Sequence, residues 1–370
     1  MVCAHYISNY LFTTTNWLYT ILQPTEIYEP VVFARQTSNL AAFPLRKLYA
    51  LAQLNGLARI YNLAFYKTVG YFPFFYQAGK ENAVDLLHVH FGYDAFKMLP
   101  LKHKLKIPMI TSFLGIDASK YLRVPEWRKK YQRLFAEGDL FLALGPRMRE
   151  TLIDAGCPAG KAKVHNLGIL VDEFPFRERT LKAREKLMIL MGASFREKKG
   201  IPYALEAAAI LKTHAPFKLV IAGDGELRPQ IERQITALDL SNHVELLGYI
   251  APAAFRVLME KAHLLILPSI TASDGDMEGT PFVLMEALAM GIPVVSTYHA
   301  DIPEIVKDSV NGYLVSERDA KTLAERLIHL SKHPESWAAM GRAGREHVTK
   351  HFNAALQFKK LLQIYDGLIH

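Results

Sequence analysis

Glu278-Gly279-Thr280-Pro281-Phe282-Val283-Leu284-Met285-Glu286-Ala287-Leu288-Ala289-Met290-Gly291-Ile292-Pro293-Val294-Val295 decides the reading of this chain. Thr280 suits a helix N-cap and Pro281 the first helical position. The apolar run to Met290 is the helix, Gly291 stops it, and Pro293 to Ser296 begins a strand. A helix start carries unpaired N–H groups and a partial positive charge. Pro281 has no N–H, so Phe282 and Val283 are the donors expected to meet a phosphate. Glu278 stands just before this anion site. Glu286 lies four residues after Phe282, one turn deeper on the same face. Two carboxylates flanking an anion site suit hydroxyls at both ends of a diphosphate ligand, the layout of a nucleotide sugar.

Upstream, Gly192-Ala193-Ser194-Phe195-Arg196-Glu197-Lys198-Lys199-Gly200 follows a strand and carries cations on a glycine-bounded loop. Gly223-Asp224-Gly225-Glu226-Leu227 follows the next strand and permits close backbone approach. Gly248-Tyr249-Ile250 ends the one after. The spacing of Glu278 and Glu286, with Gly-Thr-Pro before the second and Gly-x-Pro-Val-Val after it, resembles retaining glycosyltransferases of family 4. The segments around His90, Thr111 and Gly156-Cys157-Pro158 also resemble bacterial exopolysaccharide glycosyltransferases of the colanic-acid type. The resemblance implies the GT-B fold: α/β, two Rossmann-like doubly wound parallel-sheet domains facing a central cleft. It implies transfer of a sugar from a nucleotide-diphosphate sugar, UDP- or GDP-linked, to a glycan or lipid-linked saccharide, with no cofactor and no metal.

The resemblance also implies roles. Glu278 contacts the donor sugar and Glu286 the ribose. Lys199 and Arg196 neutralise the diphosphate, with Gly279, Thr280, Pro281, Phe282 and Val283 around it. Gly223, Gly225 and Tyr249 line the nucleotide side. Ser194 occupies the position where the family carries an arginine, and Arg196, two residues on, is its candidate substitute. In the first half, His88-Val89-His90-Phe91-Gly92 ends a strand, and His90 is a catalytic candidate. Thr111-Ser112-Phe113-Leu114-Gly115-Ile116-Asp117 resembles a family pattern with histidine where Leu114 stands. Asp117 is a candidate acceptor contact or a helix cap, and Asn16, in the loop after the first strand, a second acceptor contact. Asp274-Gly275-Asp276 reads as a turn rather than a metal site. Ser194 and Leu114 leave open a catalytically impaired nucleotide-sugar-binding protein. A hydrolysing epimerase on this fold would want a carboxylate base, and none stands out.

Short apolar strands alternate with helical patterns throughout the 370 residues, the mark of parallel α/β architecture. Strands are expected at 4–8, 31–34, 86–90, 109–113, 140–144 and 163–167, then 187–191, 218–222, 244–247, 264–267, 294–296 and 312–314. The expected division is residues 1–170, a solvated linker 171–185, and residues 186–353, with a helix 354–370 returning to the first domain. Segment 40–77 interleaves aromatic and basic residues, as core helices or a membrane-interface surface do.

Two cysteines, Cys3 and Cys157, give no disulfide framework and suit a reducing cytoplasm. No secretory signal or membrane span is expected. The net charge of +8 lies wholly in residues 1–180, with 22 Lys and Arg against 14 Asp and Glu. It predicts an acidic partner, such as the anionic inner leaflet of a membrane, and no recognition motif supports nucleic acid.

Overall fold

Two parallel sheets account for the strand pattern. The computed structural model describes residues 1–11 and 17–370. Asn16, an expected acceptor contact, lies outside the described residues. The chain divides into two units: residues 1–166 with 355–370, and residues 167–354.

The first unit holds β1 (Val2–Tyr10), β2 (Glu29–Thr37), β3 (Leu48–Ala50), β4 (Leu86–His90), β5 (Met109–Ser112), β6 (Leu140–Ala143) and β7 (Ala162–Val164). Their order is β3-β2-β1-β4-β5-β6-β7. The second unit holds β8 (Leu187–Gly192), β9 (Phe217–Ala222), β10 (Val244–Gly248), β11 (Leu264–Leu267), β12 (Val294–Thr297) and β13 (Gly312–Val315). Its order is β10-β9-β8-β11-β12-β13. Every strand pair runs parallel. In each sheet the order reverses once, between β1 and β4 and between β8 and β11. Ligands of open α/β sheets bind outside the carboxyl ends of strands at such switch points.

The strands are apolar because helices cover both faces of a parallel sheet. Leu264, Leu265, Ile266 and Leu267 are all essentially inaccessible. Most of the stretch expected as a solvated linker is exposed, but three of its residues are buried. Val171, Phe174 and Arg179 are buried in the second unit. The Arg179 guanidinium donates to the carbonyls of Glu260, Ala262 and Met290. Its charge density at sequence level therefore reflects a buried tether as well as solvated side chains. The final helix, Ala354–Ile369, contributes Leu361 and Tyr365 to the core of the first unit. Segment 40–77 supplies edge strand β3, the whole helix Gly56–Val69 and the start of the helix Pro73–Glu81. Among the described residues no helix is long and apolar enough to cross a membrane.

Candidate active site

The loop after β8 is pressed against the end of β11. Gly200 has φ +64°, and a Cβ there would lie 1.8 Å from the Pro268 carbonyl oxygen, so only glycine fits. The Ile270 N–H donates to the Lys198 carbonyl at 2.9 Å. This contact carries the two lysines to the segment before the helix. Lys199 Nζ donates to Glu278 Oε1 at 2.5 Å. Lys198 Nζ donates to Asp276 Oδ1 and to the Met277 carbonyl, each at 3.1 Å.

Glu278 is buried and held from several sides. Ser269 Oγ donates to Oε1 at 3.0 Å. The Glu278 N–H donates to His299 Nε2 at 3.0 Å. That nitrogen must carry a lone pair, so the proton is on Nδ1, which donates to Glu317 Oε1 at 2.6 Å. Thr271 N–H in turn donates to Glu317 Oε2 at 2.8 Å. Burial pushes the Glu278 carboxyl up, but Lys199 and Lys198 outweigh it and hold it below the usual carboxylate range. Lys198, Ser269, His299 and Glu317 were not singled out from the sequence. Only the fold brings them beside Glu278.

The helix runs Phe282–Ala289, with Pro281 as N-cap and no side-chain cap. Thr280 was expected in that position. The helix begins one residue later because Pro281, at φ −75° and ψ 98°, stays extended. Glu286 projects from this helix, partly buried. Burial pushes its carboxyl up to about 7, Arg256 pulls it down and Glu173 pushes it up. Arg256 itself pairs with Glu173 at 3.0 Å. Gly279 and Pro281 are buried, whereas Ser194, Arg196 and Tyr249 are exposed. Gly223 accepts no side chain: a Cβ would lie 1.8 Å from the Ala193 carbonyl oxygen. Its N–H donates to the Gly248 carbonyl at 2.8 Å, tying the ends of β9 and β10 together. The Gly225 N–H donates to Asp224 Oδ1 at 2.8 Å.

Asp274 to Asp276 forms a turn. The Asp276 N–H donates to Asp274 Oδ1 at 2.9 Å. Gly275 sits at φ +85°. In the first unit, Asp117 is buried and accepts from the N–H groups of Gly92, Leu114 and Gly115 at 2.8, 2.9 and 3.0 Å. Its carboxyl is engaged by the backbone and organises the loop after β5, as a cap does. His88 and His90 are buried at the end of β4, where β1 adds a third histidine, His5. His5 was missed in the sequence because 83 residues separate it from His88.

Two family profiles match the chain: "Glycosyltransferase Family 4" over residues 26–173 and "Glycosyl transferases group 1" over residues 172–347. An amylovoran biosynthesis glycosyltransferase, AmsK of Erwinia amylovora, is 38% identical over 293 residues, covering 78% of this chain and 72% of that protein. A putative colanic acid biosynthesis glycosyltransferase, WcaL of Escherichia coli K12, is 35% identical over 289 residues, covering 77% and 71%. Among solved structures, Anabaena Alr3699/HepE in complex with UDP-glucose superposes with a TM-score of 0.79 at 18% identity, covering all of both chains. A glycosyltransferase from Rickettsia africae does so with a TM-score of 0.79 at 17% identity, covering 100% of this chain and 98% of that one. At that identity the likeness shows the fold. The chain therefore belongs to glycosyltransferase family 4, has the GT-B fold, and within the family resembles the exopolysaccharide glycosyltransferases.

Proposed function

We propose that the chain transfers a hexosyl group from a nucleotide-diphosphate sugar, UDP- or GDP-linked, to a glycan or lipid-linked saccharide in exopolysaccharide assembly, with retention of anomeric configuration and without a metal ion. One observation carries the reading: the buried Lys199–Glu278 pair at the switch point between β8 and β11. An ammonium has three donors. Glu278 takes one, and the others remain for diphosphate oxygens. The ionised Glu278 carboxylate keeps acceptor capacity for sugar hydroxyls. Arg196, exposed on the same loop, is the proposed second diphosphate cation, and Glu286 the ribose acceptor. The HepE structures with UDP and UDP-glucose support a nucleotide-sugar donor on this fold.

In the proposed step the anomeric C–O bond to phosphate breaks and its electron pair goes to the leaving diphosphate. The acceptor oxygen bonds to the same face of the sugar carbon, and its proton goes to a phosphate oxygen. Fixed cations at that diphosphate lower the barrier by about 3–4 kcal/mol for each well-placed donor. We infer further that the chain works at the cytoplasmic face of a membrane, which the first unit touches peripherally.

The test is a donor panel. UDP-, GDP- and ADP-sugars are incubated with lipid extracts and oligosaccharides, and product anomers are read by NMR. Retained configuration with one donor supports the reading. Binding of the nucleotide diphosphate with neither transfer nor slow donor hydrolysis would mark an impaired binding protein, the alternative that Ser194 and Leu114 suggest.

A further inference from the structure

Three imidazoles pack together in the first unit: His90 ends β4, His88 stands two residues before it, and His5 lies beside His88 in the middle of β1. Their hydrogen bonds link the tautomers of His5 and His90. Tyr28 Oη donates to the Ile21 carbonyl at 2.9 Å, a group that only accepts. With its one proton on that carbonyl, Tyr28 receives the proton of His5 Nε2, 2.5 Å away. His5 Nδ1 is left with a lone pair, and His90 Nε2, 3.0 Å away, must donate to it. His90 is thereby committed to its Nε2–H form. Its Nδ1 is a buried lone pair with no hydrogen-bond partner. Buried polar atoms are nearly always paired, so an exception at the end of a switch-point strand calls for an occupant.

We propose that His90 Nδ1 is a fixed hydrogen-bond acceptor for a neutral hydroxyl of a saccharide ligand, and that His5 and Tyr28 are the positioning residues that keep it so. A hydroxyl fits because the site offers one lone pair and no charge. Burial pushes His5 down to about 3, and His90 well below its ordinary value with His5 adding to the effect. A neutral imidazole of that kind accepts a hydrogen bond but is a poor general base. The chain of bonds also ends on a carbonyl that cannot take up a proton. His90 therefore binds a hydroxyl and does not remove its proton, which changes the catalytic role expected of it.

The ring nitrogens of His5, His88 and His90 include one from each within 4.8 Å of one another, the spacing of a possible cation site. The hydrogen bonds argue for the hydroxyl. A cation between His5 and His90 would have to displace the Nε2 proton. His88 is already engaged by Tyr365 Oη at 2.5 Å and Ser112 Oγ at 2.8 Å.

The saccharide assignment rests on the transferase reading, but the tautomers do not, so the two fail separately. The full chain is labelled with 15N-histidine and its long-range 1H–15N spectrum recorded with and without methyl α-D-glucopyranoside, its monodeoxy analogues, or zinc chloride. His5 and His90 are expected as Nε2–H forms, with the glucoside shifting His90 Nδ1 and one deoxy analogue binding about tenfold more weakly. Tyr28→Phe, which removes a single oxygen, should populate the Nδ1–H forms of both rings and weaken the glucoside about tenfold. A proton on His90 Nδ1 in the parent overturns the proposal. So does one equivalent of zinc displacing the ring protons, or indifference of His90 Nδ1 to every glucoside. The parent spectrum needs no variant, so a poorly folded Tyr28→Phe leaves the test intact. Loss of transferase activity with these tautomers intact would overturn the proposed function alone.

Discussion

Lys199 Nζ and Glu278 Oε1 lie 2.5 Å apart although 79 residues separate them, and neither side chain is more than 16% exposed. Each neutralises the other's burial. Removing one strands the other, which typically costs about 3–5 kcal/mol for a buried pair.

Lys199→Ala should therefore lower stability by about 3 kcal/mol, since Ser269 still donates to the Glu278 carboxylate and Lys198 still stands near it. It should also cut transfer about 100-fold or more, as loss of an oxyanion-type donor does. Adding Glu278→Ala should restore much of the stability and none of the activity. Urea titration with initial rates separates the two effects. A single variant as stable as the parent would show that the pair carries no burial cost.

Glu286 supplies a pH signature. Its carboxyl is pushed from an ordinary 4.5 up to about 7. The native state therefore binds a proton that the unfolded chain has released between those values. This contribution to stability is full below pH 4.5 and is lost as pH rises through 7. The same ionisation gives a ribose diol an anionic acceptor, so UDP binding should tighten above pH 7. Glu286→Gln should flatten both trends. Calorimetric titration from pH 5.5 to 8.5 checks them, and a parent profile unchanged by the substitution would remove Glu286 from the nucleotide site.

Transfer should survive EDTA. Asp274 is used within its own turn, and Asp276 is engaged by Lys198. Activity lost in EDTA and regained with Mn²⁺ would refute this. Lys198→Ala should cost about 2 kcal/mol, in line with hydrogen bonds to charged groups.

The membrane prediction shifts to a different surface. In the basic stretch Lys120, Arg123, Arg128, Lys129, Lys130 and Arg133, Lys130 is already paired with Glu126 and lies 4.5 Å over the Trp127 ring, so the stretch is partly neutralised locally. On helix Gly56–Val69, by contrast, Leu57, Ile60 and Tyr61 are 83%, 65% and 57% exposed on one face, with exposed Lys67 further along it. Burying Leu57 and Ile60 in a bilayer surface is worth about 1.5–3 kcal/mol each, against about 1 kcal/mol for each lysine. Sedimentation with phosphatidylglycerol vesicles should show binding that weakens with salt. Leu57→Asp with Ile60→Asp should abolish it, and Lys129→Glu with Lys130→Glu should only reduce it. The opposite ranking would return the contact to the basic stretch.

Much of the architecture was legible in the sequence because parallel strands are short continuous apolar runs. Leu86–His90 and Leu264–Leu267 were read with their observed ends. Edge strand β3 was not, since three residues among aromatics carry no period. The loop after β8 stood out because its glycines and lysines fall at fixed offsets from a strand. His299, Glu317 and His5 were not, because lone polar residues acquire meaning only through partners that the fold supplies. Asp117 was ambiguous for the opposite reason: a loop carboxylate looks alike whether it serves a ligand or the backbone.

The last helix has a consequence for biosynthesis. Tyr365 bonds to His88 and lies, fully buried, in the core of the first unit. A ribosome releases residue 166 long before residue 365. The second unit, contiguous from residue 167 to 354, can close as soon as it emerges, whereas the first must wait with an unfilled core. The order of maturation is thus the reverse of the order of translation, and the histidine cluster is completed only when the C-terminal helix leaves the exit tunnel.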